Sequence, residues 1–152
     1  MDKRILSERD ICTKFITPAL VTAGWNITTQ IREEVSFTKG RIIVRGKLVS
    51  RGEGKRADYI LSAKPNIPIA IIEAKDNKQP VGGGMQPVGG GMQQALGYAE
   101  TLDIPFVFSS NGDGFVFHDR TGASTEVEQT LGMDAFPSPQ ELWHRYKVWK
   151  GL

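Results

Sequence analysis

The run Pro68-Ile69-Ala70-Ile71-Ile72-Glu73-Ala74-Lys75 restricts what this chain can fold into more than any other stretch. Its apolar, β-branched body reads as a buried strand, yet it ends in Glu-Ala-Lys. Strand side chains alternate faces, so Glu73 and Lys75, two apart, point the same way. Upstream, Ala57-Asp58-Tyr59-Ile60-Leu61 is a second apolar run carrying one acid, and a turn at Pro65-Asn66 separates the two. Short strands joined in this way lie antiparallel and can bring Asp58 back beside Glu73. Two carboxylates and one ammonium would then meet at one end of a hydrophobic hairpin.

Two carboxylates converging from neighbouring strands suit a hard divalent cation such as Mg²⁺, which takes oxygen ligands and keeps several waters. A cation held there polarises a phosphoryl oxygen and lowers the pKa of a bound water. The neighbouring lysine can orient that water or stabilise transition-state charge. The competing reading is an ordinary strand end where Glu and Lys pair in solvent. The residues by themselves leave both open.

Asp58, Glu73-Ala74-Lys75 and the trailing Gln94-Ala95-Leu96-Gly97-Tyr98 resemble the PD-(D/E)xK nuclease superfamily with its Q-x-x-x-Y motif, although Ala57 stands where the superfamily name has proline. Gly54-Lys55-Arg56-Ala57-Asp58, Glu73-Ala74-Lys75-Asp76-Asn77 and Ser109-Ser110-Asn111-Gly112-Asp113-Gly114-Phe115 are similar to the N-terminal nuclease domain of type I restriction enzyme R subunits. The likeness runs from Ser7 to the segment Phe136-Pro137-Ser138-Pro139-Gln140-Glu141-Leu142-Trp143. It implies that Asp58 and Glu73 ligate Mg²⁺, with the Ala74 backbone carbonyl as a third ligand and Glu8 as a supporting one. Lys75 completes the catalytic set, while Gln94, Tyr98, Arg56 and Lys55 support the site or touch DNA. It further implies double-stranded DNA as substrate, modification and specificity subunits as partners, and a helicase motor later in the same chain that brings in ATP.

At 152 residues the chain is expected to form one domain, residues 1–152, with a single core. A hydrophobic content of 39%, with 24% charged residues, is ordinary for a globular protein. The net charge of +2 says little about nucleic acid, but six basic residues lie between Arg41 and Arg56 against one acid, Glu53. That cluster can line a phosphate backbone, or it can be the solvated face of an edge strand; beside Asp58 the first reading is favoured. The single cysteine, Cys12, excludes an internal disulfide and fits a cytoplasmic setting. It lies in a helical apolar pattern, as a core thiol does. No apolar run is long enough to span a membrane, and the start of the chain lacks a signal-peptide core.

Ser7-Glu8-Arg9-Asp10 reads as a capping box that opens a helix, with Ile11, Phe15 and Ala19 forming its apolar stripe, a kink or break at Pro18, and an end at Gly24. Spacing places Glu8 on the buried side with Ile11. Ile31-Arg32-Glu33-Glu34-Val35 is ambiguous between helix and strand, and Arg41 to Val49 is strand-like.

After Lys78 the sequence Gln79-Pro80-Val81-Gly82-Gly83-Gly84-Met85 is repeated without change as Gln86-Pro87-Val88-Gly89-Gly90-Gly91-Met92. Residues 79–92 are therefore a tandem-duplicated Gly-rich loop, expected to bulge outward rather than enter the next helix. It is not a P-loop, because Gly91 runs into Met92-Gln93 instead of Lys-Ser/Thr. Met92, Ala95, Leu96, Ala99 and Leu102 mark an amphipathic helix carrying Gln94 and Tyr98 one turn apart.

Ile104 to Phe108 and Phe115 to His118 read as strands joined by the turn Asn111-Gly112-Asp113-Gly114, with His118 at a strand end rather than in a site. Gly122 to Glu128 is polar linker or edge strand. Ser138-Pro139-Gln140-Glu141 reads as a second capping box opening a C-terminal helix over 138–150. Its Leu142, Trp143, Tyr146 and Trp149 suggest docking onto the motor domain, and His144 falls on the polar side.

The expected fold is α/β: a restriction-endonuclease-like (PD-(D/E)xK) core with a mixed central sheet flanked by the Ser7 and Met92 helices. The expected function is a Mg²⁺-dependent endonuclease domain hydrolysing phosphodiester bonds of double-stranded DNA. The alternatives are a non-catalytic DNA-contacting or assembly module with a disabled site, and a free-standing resolvase or repair nuclease.

Overall fold

The computed structural model describes residues 2–38, 41–42, 55–78 and 90–152. Among the described residues seven strands form one mixed sheet in the order β2-β1-β3-β4-β5-β6-β7. They are β1 (Ile31–Thr38), β2 (Arg41–Ile42), β3 (Lys55–Lys64), β4 (Ile67–Ala74), β5 (Phe106–Ser110), β6 (Gly114–Asp119) and β7 (Glu128–Gly132). Neighbours are antiparallel except β4 and β5, which are parallel. Parallel neighbours need a long crossover, and helix α3 (Gly90–Leu102) lies on this one.

Helices cover both faces. On one side α1 (Glu8–Ile11), a π-helical turn (Cys12–Ile16), α2 (Thr17–Thr22) and α4 (Pro139–Lys150) bury Ile11, Ile16, Leu20 and Leu142 against Tyr59, Ile72 and a cluster of phenylalanines. On the other, α3 lays Met92, Ala95 and Ala99 over Ile60, Ile71 and Val107. This is the expected α/β arrangement, with the two predicted helices on opposite faces. The Met92 helix starts two residues earlier than its apolar pattern, so Gly90 and Gly91 enter its first turn. The remainder of the duplicated segment, the strand-like stretch 43–49 and the Gly52-Glu53-Gly54 turn lie outside the described residues.

The Ser7 capping box forms in both directions. No break occurs at Pro18. The strain of a proline, which has no N–H and crowds the carbonyl four residues back, is taken up one turn earlier by the π-helical segment, where Thr17 N bonds Cys12 O. That carbonyl also accepts from the buried Tyr59 hydroxyl at 3.1 Å, and the same hydroxyl meets Thr17 Oγ1 at 2.6 Å. At α4 only half of the predicted box exists: Ser138 Oγ accepts from Glu141 N at 3.1 Å, but the Glu141 carboxylate turns to Arg145 at 3.0 Å. Ile31 to Val35 is strand, because its residues pair with β3.

The alternation of faces along β1 and β3 reverses once. Ile31 faces the α1 side while Val35 and Phe37 face α3, and Tyr59 faces α1 while Ala57 faces α3. Strict alternation would keep each set on one face. The reversal occurs at Glu34, whose φ of 51° is left-handed, and at Asp58, which the register 33↔59 and 35↔57 places opposite it.

Candidate active site

The carboxylates of the hairpin meet as its register requires. The β3–β4 ladder reaches Tyr59↔Ile72, and the next step belongs to side chains. Asp58 N donates to Glu73 Oε2 at 2.8 Å, and Ala74 N donates to Asp58 Oδ2 at 2.8 Å. Each carboxylate thus takes the amide that a strand partner would otherwise hold, which fixes both groups and opens the end of the hairpin. Asp58 Oδ1 and Glu73 Oε1 accept no hydrogen bond among the described residues, and neither is sealed from solvent as an orphan.

The pair is electrostatically uncomfortable. Glu73 is only 3% exposed. Burial, with the Asp58 charge beside it, pushes its carboxyl up to about 8. Burial also raises Asp58, opposed by the Ala74 amide and by Arg9. Two hard, fixed oxygen donors with raised pKa values suit a cation such as Mg²⁺, which completes its shell with water. Among the described residues no three His, Cys, Asp or Glu converge. The Ala74 N–H bonds Asp58, and the carbonyl expected as a ligand belongs to the same residue.

Lys75 follows β4, its N–H bonding Ser110 O at 2.8 Å. Its Nζ lies 3.8 Å from Glu8 Oε2. Glu8 is exposed rather than buried with Ile11, yet it faces Lys75. The stem of Lys75 runs against Gly91 in the first turn of α3, where an added Cβ would come within 2.8 Å of Lys75 Cγ. Gln94 Nε2 donates to the Tyr98 hydroxyl at 2.6 Å, and the Tyr98 ring meets Phe37 edge-on at 5.0 Å. Burial raises the Tyr98 hydroxyl, and the Glu73 and Asp58 charges add to the rise. Lys55 and Arg56 are exposed, and Arg56 pairs with Glu34 at 2.9 Å. The rest of the basic cluster lies outside the described residues, apart from the backbone of Arg41.

Sequence reasoning missed Arg9 and Glu34. Arg9 reaches from α1 to Glu33 at 2.7 Å and Glu34 at 2.9 Å. Helical periodicity shows only that Arg9 is off the apolar stripe, so the one available signal was its place beside Glu8. Other polar candidates fall away. Cys12 is buried and its thiol is pushed up to about 12 by burial, as a core thiol is. His118 pairs with Glu128 at 2.8 Å, far along the sheet on β6, and His144 is exposed. No described helix is long and apolar enough to cross a membrane.

Known proteins share both the sequence and the shape. The family described as type I restriction enzyme R protein N terminus matches residues 42–126. The type I restriction enzyme EcoAI endonuclease subunit of Escherichia coli is 51% identical over 147 residues, 96% of this chain and 17% of that protein. A solved fragment assigned to the HsdR subunit of a type I restriction enzyme from Vibrio vulnificus YJ016 is 41% identical, with a TM-score of 0.74 over 97% of this chain and 26% of that one. The chain therefore spans about a sixth of the curated relative and a quarter of the solved one. On the match of residues 42–126, supported by the relative and by the shared fold, the chain belongs to the family of type I restriction enzyme R protein N termini.

Proposed function

We propose that the chain is a metal-dependent endonuclease domain that hydrolyses phosphodiester bonds of double-stranded DNA. The observation that carries this is the crossed hydrogen bonding of Asp58 and Glu73, which fixes a half-buried and a buried carboxylate, both of raised pKa, with one oxygen each to spare. Asp58 and Glu73, with the Ala74 carbonyl, would hold Mg²⁺, and Glu8 would support the site through Lys75. A bound Mg²⁺ supplies charge to polarise the phosphate and acidity to a coordinated water. Lys75, whose ammonium lies 3.8 Å from Glu8 Oε2, would orient the attacking water and offset charge building on the phosphate oxygens. Gln94 and Tyr98, locked together, would position the backbone. Lys55 and Arg56 would add positive charge.

The family supports a setting in a larger enzyme of the cytoplasm, where modification and specificity subunits and an ATP-driven motor later in the chain deliver the DNA.

A cation that binds only the folded state must stabilise it. At a hundred times its Kd the gain is about 2.7 kcal/mol, roughly 5–10 °C in melting temperature for a chain of this size. Wild type is expected to show this shift with Mn²⁺ or Mg²⁺, and Asp58→Ala to show none. Equal behaviour of the two proteins would instead favour the non-catalytic module.

Gly91→Ala tests the lysine separately. Alanine is the better helix former by about 1 kcal/mol, so melting temperature should hold or rise slightly. Its Cβ displaces Lys75 at Cγ, so cleavage should fall about tenfold, the order of loss expected from misplacing a catalytic group. A variant with full cleavage would show that the Lys75 rotamer does not matter.

A further inference from the structure

We propose that Arg9 and Arg56 form a clamp for one backbone phosphate of the DNA next to Asp58, and that the Glu34 carboxylate fills this clamp in the free protein. The inference rests on the reading of the chain as a DNA-cleaving domain.

Three elements bring the groups together: Arg9 from α1, Arg56 from β3 and Glu34 from β1. The two oxygens of Glu34 are shared out, Oε2 accepting from Arg9 Nη1 at 2.9 Å and Oε1 from Arg56 Nη1 at 2.9 Å. A phosphodiester offers the same pattern: one negative charge carried on two oxygens of a single atom, the group that guanidinium forks recognise best. Arg9 keeps a second hold through Nη2 on Glu33 at 2.7 Å, so it stays aimed when Glu34 leaves. The Arg9, Arg56 and Glu34 side chains are 40%, 62% and 48% exposed, so exchange needs little desolvation. Exposed pairs of this kind are individually weak and yield to a competing anion.

Position and strain favour the exchange. Glu34 faces Asp58 across the β1–β3 ladder, within one strand spacing of the carboxylate pair. Its φ of 51° is one that glutamate rarely adopts. Such strain persists where surrounding contacts over-determine it, and it gathers at binding sites and switches. Here the β1–β3 pairing on both sides of Glu34 holds that backbone. Release of the Glu34 side chain to solvent vacates a bidentate anion site.

The test is binding of a short labelled DNA duplex by fluorescence anisotropy, in metal-free buffer so that Asp58 and Glu73 hold no cation, across a salt series. Glu34→Gln should bind about fivefold or more tightly than wild type, with a salt slope steeper by about 0.9 for the phosphate gained. Glu34→Asn, whose side chain tolerates the left-handed region, should repeat the gain if the glutamine variant folds poorly. Adding Arg9→Ala or Arg56→Ala to Glu34→Gln should abolish it. Glu33→Gln removes the same charge one residue away and should gain far less. A wild type that binds DNA with no gain in either Glu34 variant, or an equal gain in Glu33→Gln, overturns the clamp and leaves the DNA reading standing. Failure of every protein to bind at low salt overturns both.

Discussion

Glu73→Gln should melt higher than wild type in metal-free buffer at pH 8 and lose every response to Mg²⁺. The folded protein raises the Glu73 pKa from 4.5 to about 8, burial being the main cause and Asp58 the second. The folded state therefore keeps a proton that the unfolded chain releases, and stability falls as pH rises between those values. The contribution is complete below the unfolded pKa and lost as pH rises through the folded one. Asp58, raised by burial, works in the same direction. Glutamine carries the neutral form at every pH and can still accept from Asp58 N. At pH 8 it should gain on the order of 2–4 kcal/mol, or about 6–12 °C, and the two proteins should converge near pH 5. Saturating Mg²⁺ should reverse the ranking, because it restores wild type and has one ligand fewer in the variant. Denaturant melts at the two pH values, with and without Mg²⁺, decide the matter. Equal metal-free stability at pH 8 would mean that no charge is buried at position 73.

Lys75→Ala should separate chemistry from metal binding. The side chain is no ligand, so the thermal response to Mn²⁺ should survive. Removing one positively charged group from the space where charge develops costs roughly 10²–10³ in rate. The nicking rate of supercoiled plasmid should fall by that amount. Lys75→Arg should restore little of it, since a planar guanidinium does not replace a compact ammonium on this stem. Loss of the metal response in Lys75→Ala, or a rate within a few fold of wild type, would remove the lysine from the mechanism.

The centre of the molecule was legible because its determinants are local. The apolar run into Glu73 and the turn at Pro65-Asn66 specify an antiparallel hairpin, and Asn66 takes the positive φ that such a turn favours. Once that hairpin forms, its register brings Asp58 to Glu73 without reference to the rest of the chain. The turn at Gly112, the Ser7 and Ser138 caps and the Met92 stripe are equally short in range. Half of the Ser138 box failed for a reason just as local: Glu141 has Arg145 one turn ahead as a charged competitor.

What escaped reading depends on partners distant in sequence. Ile31 to Val35 fits either periodicity, and only pairing with β3 makes it a strand. Glu8 shares a helical spacing with Ile11, but in the folded protein it lies in solvent facing Lys75. The carbonyl of Cys12 in the π-helical turn takes the Tyr59 hydroxyl, a contact 47 positions away. The sequence by itself determined the hairpin, the identity of its three charged residues and the helix that carries Gln94 and Tyr98, because hydrophobic period and turn chemistry act within a few residues. Tertiary structure decided how deeply Glu73 is buried, that Gly91 sits on the Lys75 stem, and that Arg9 and Arg56 close on Glu34 across from Asp58. Those are matters of distance and dielectric between elements, which exist only when the sheet and its helices have packed.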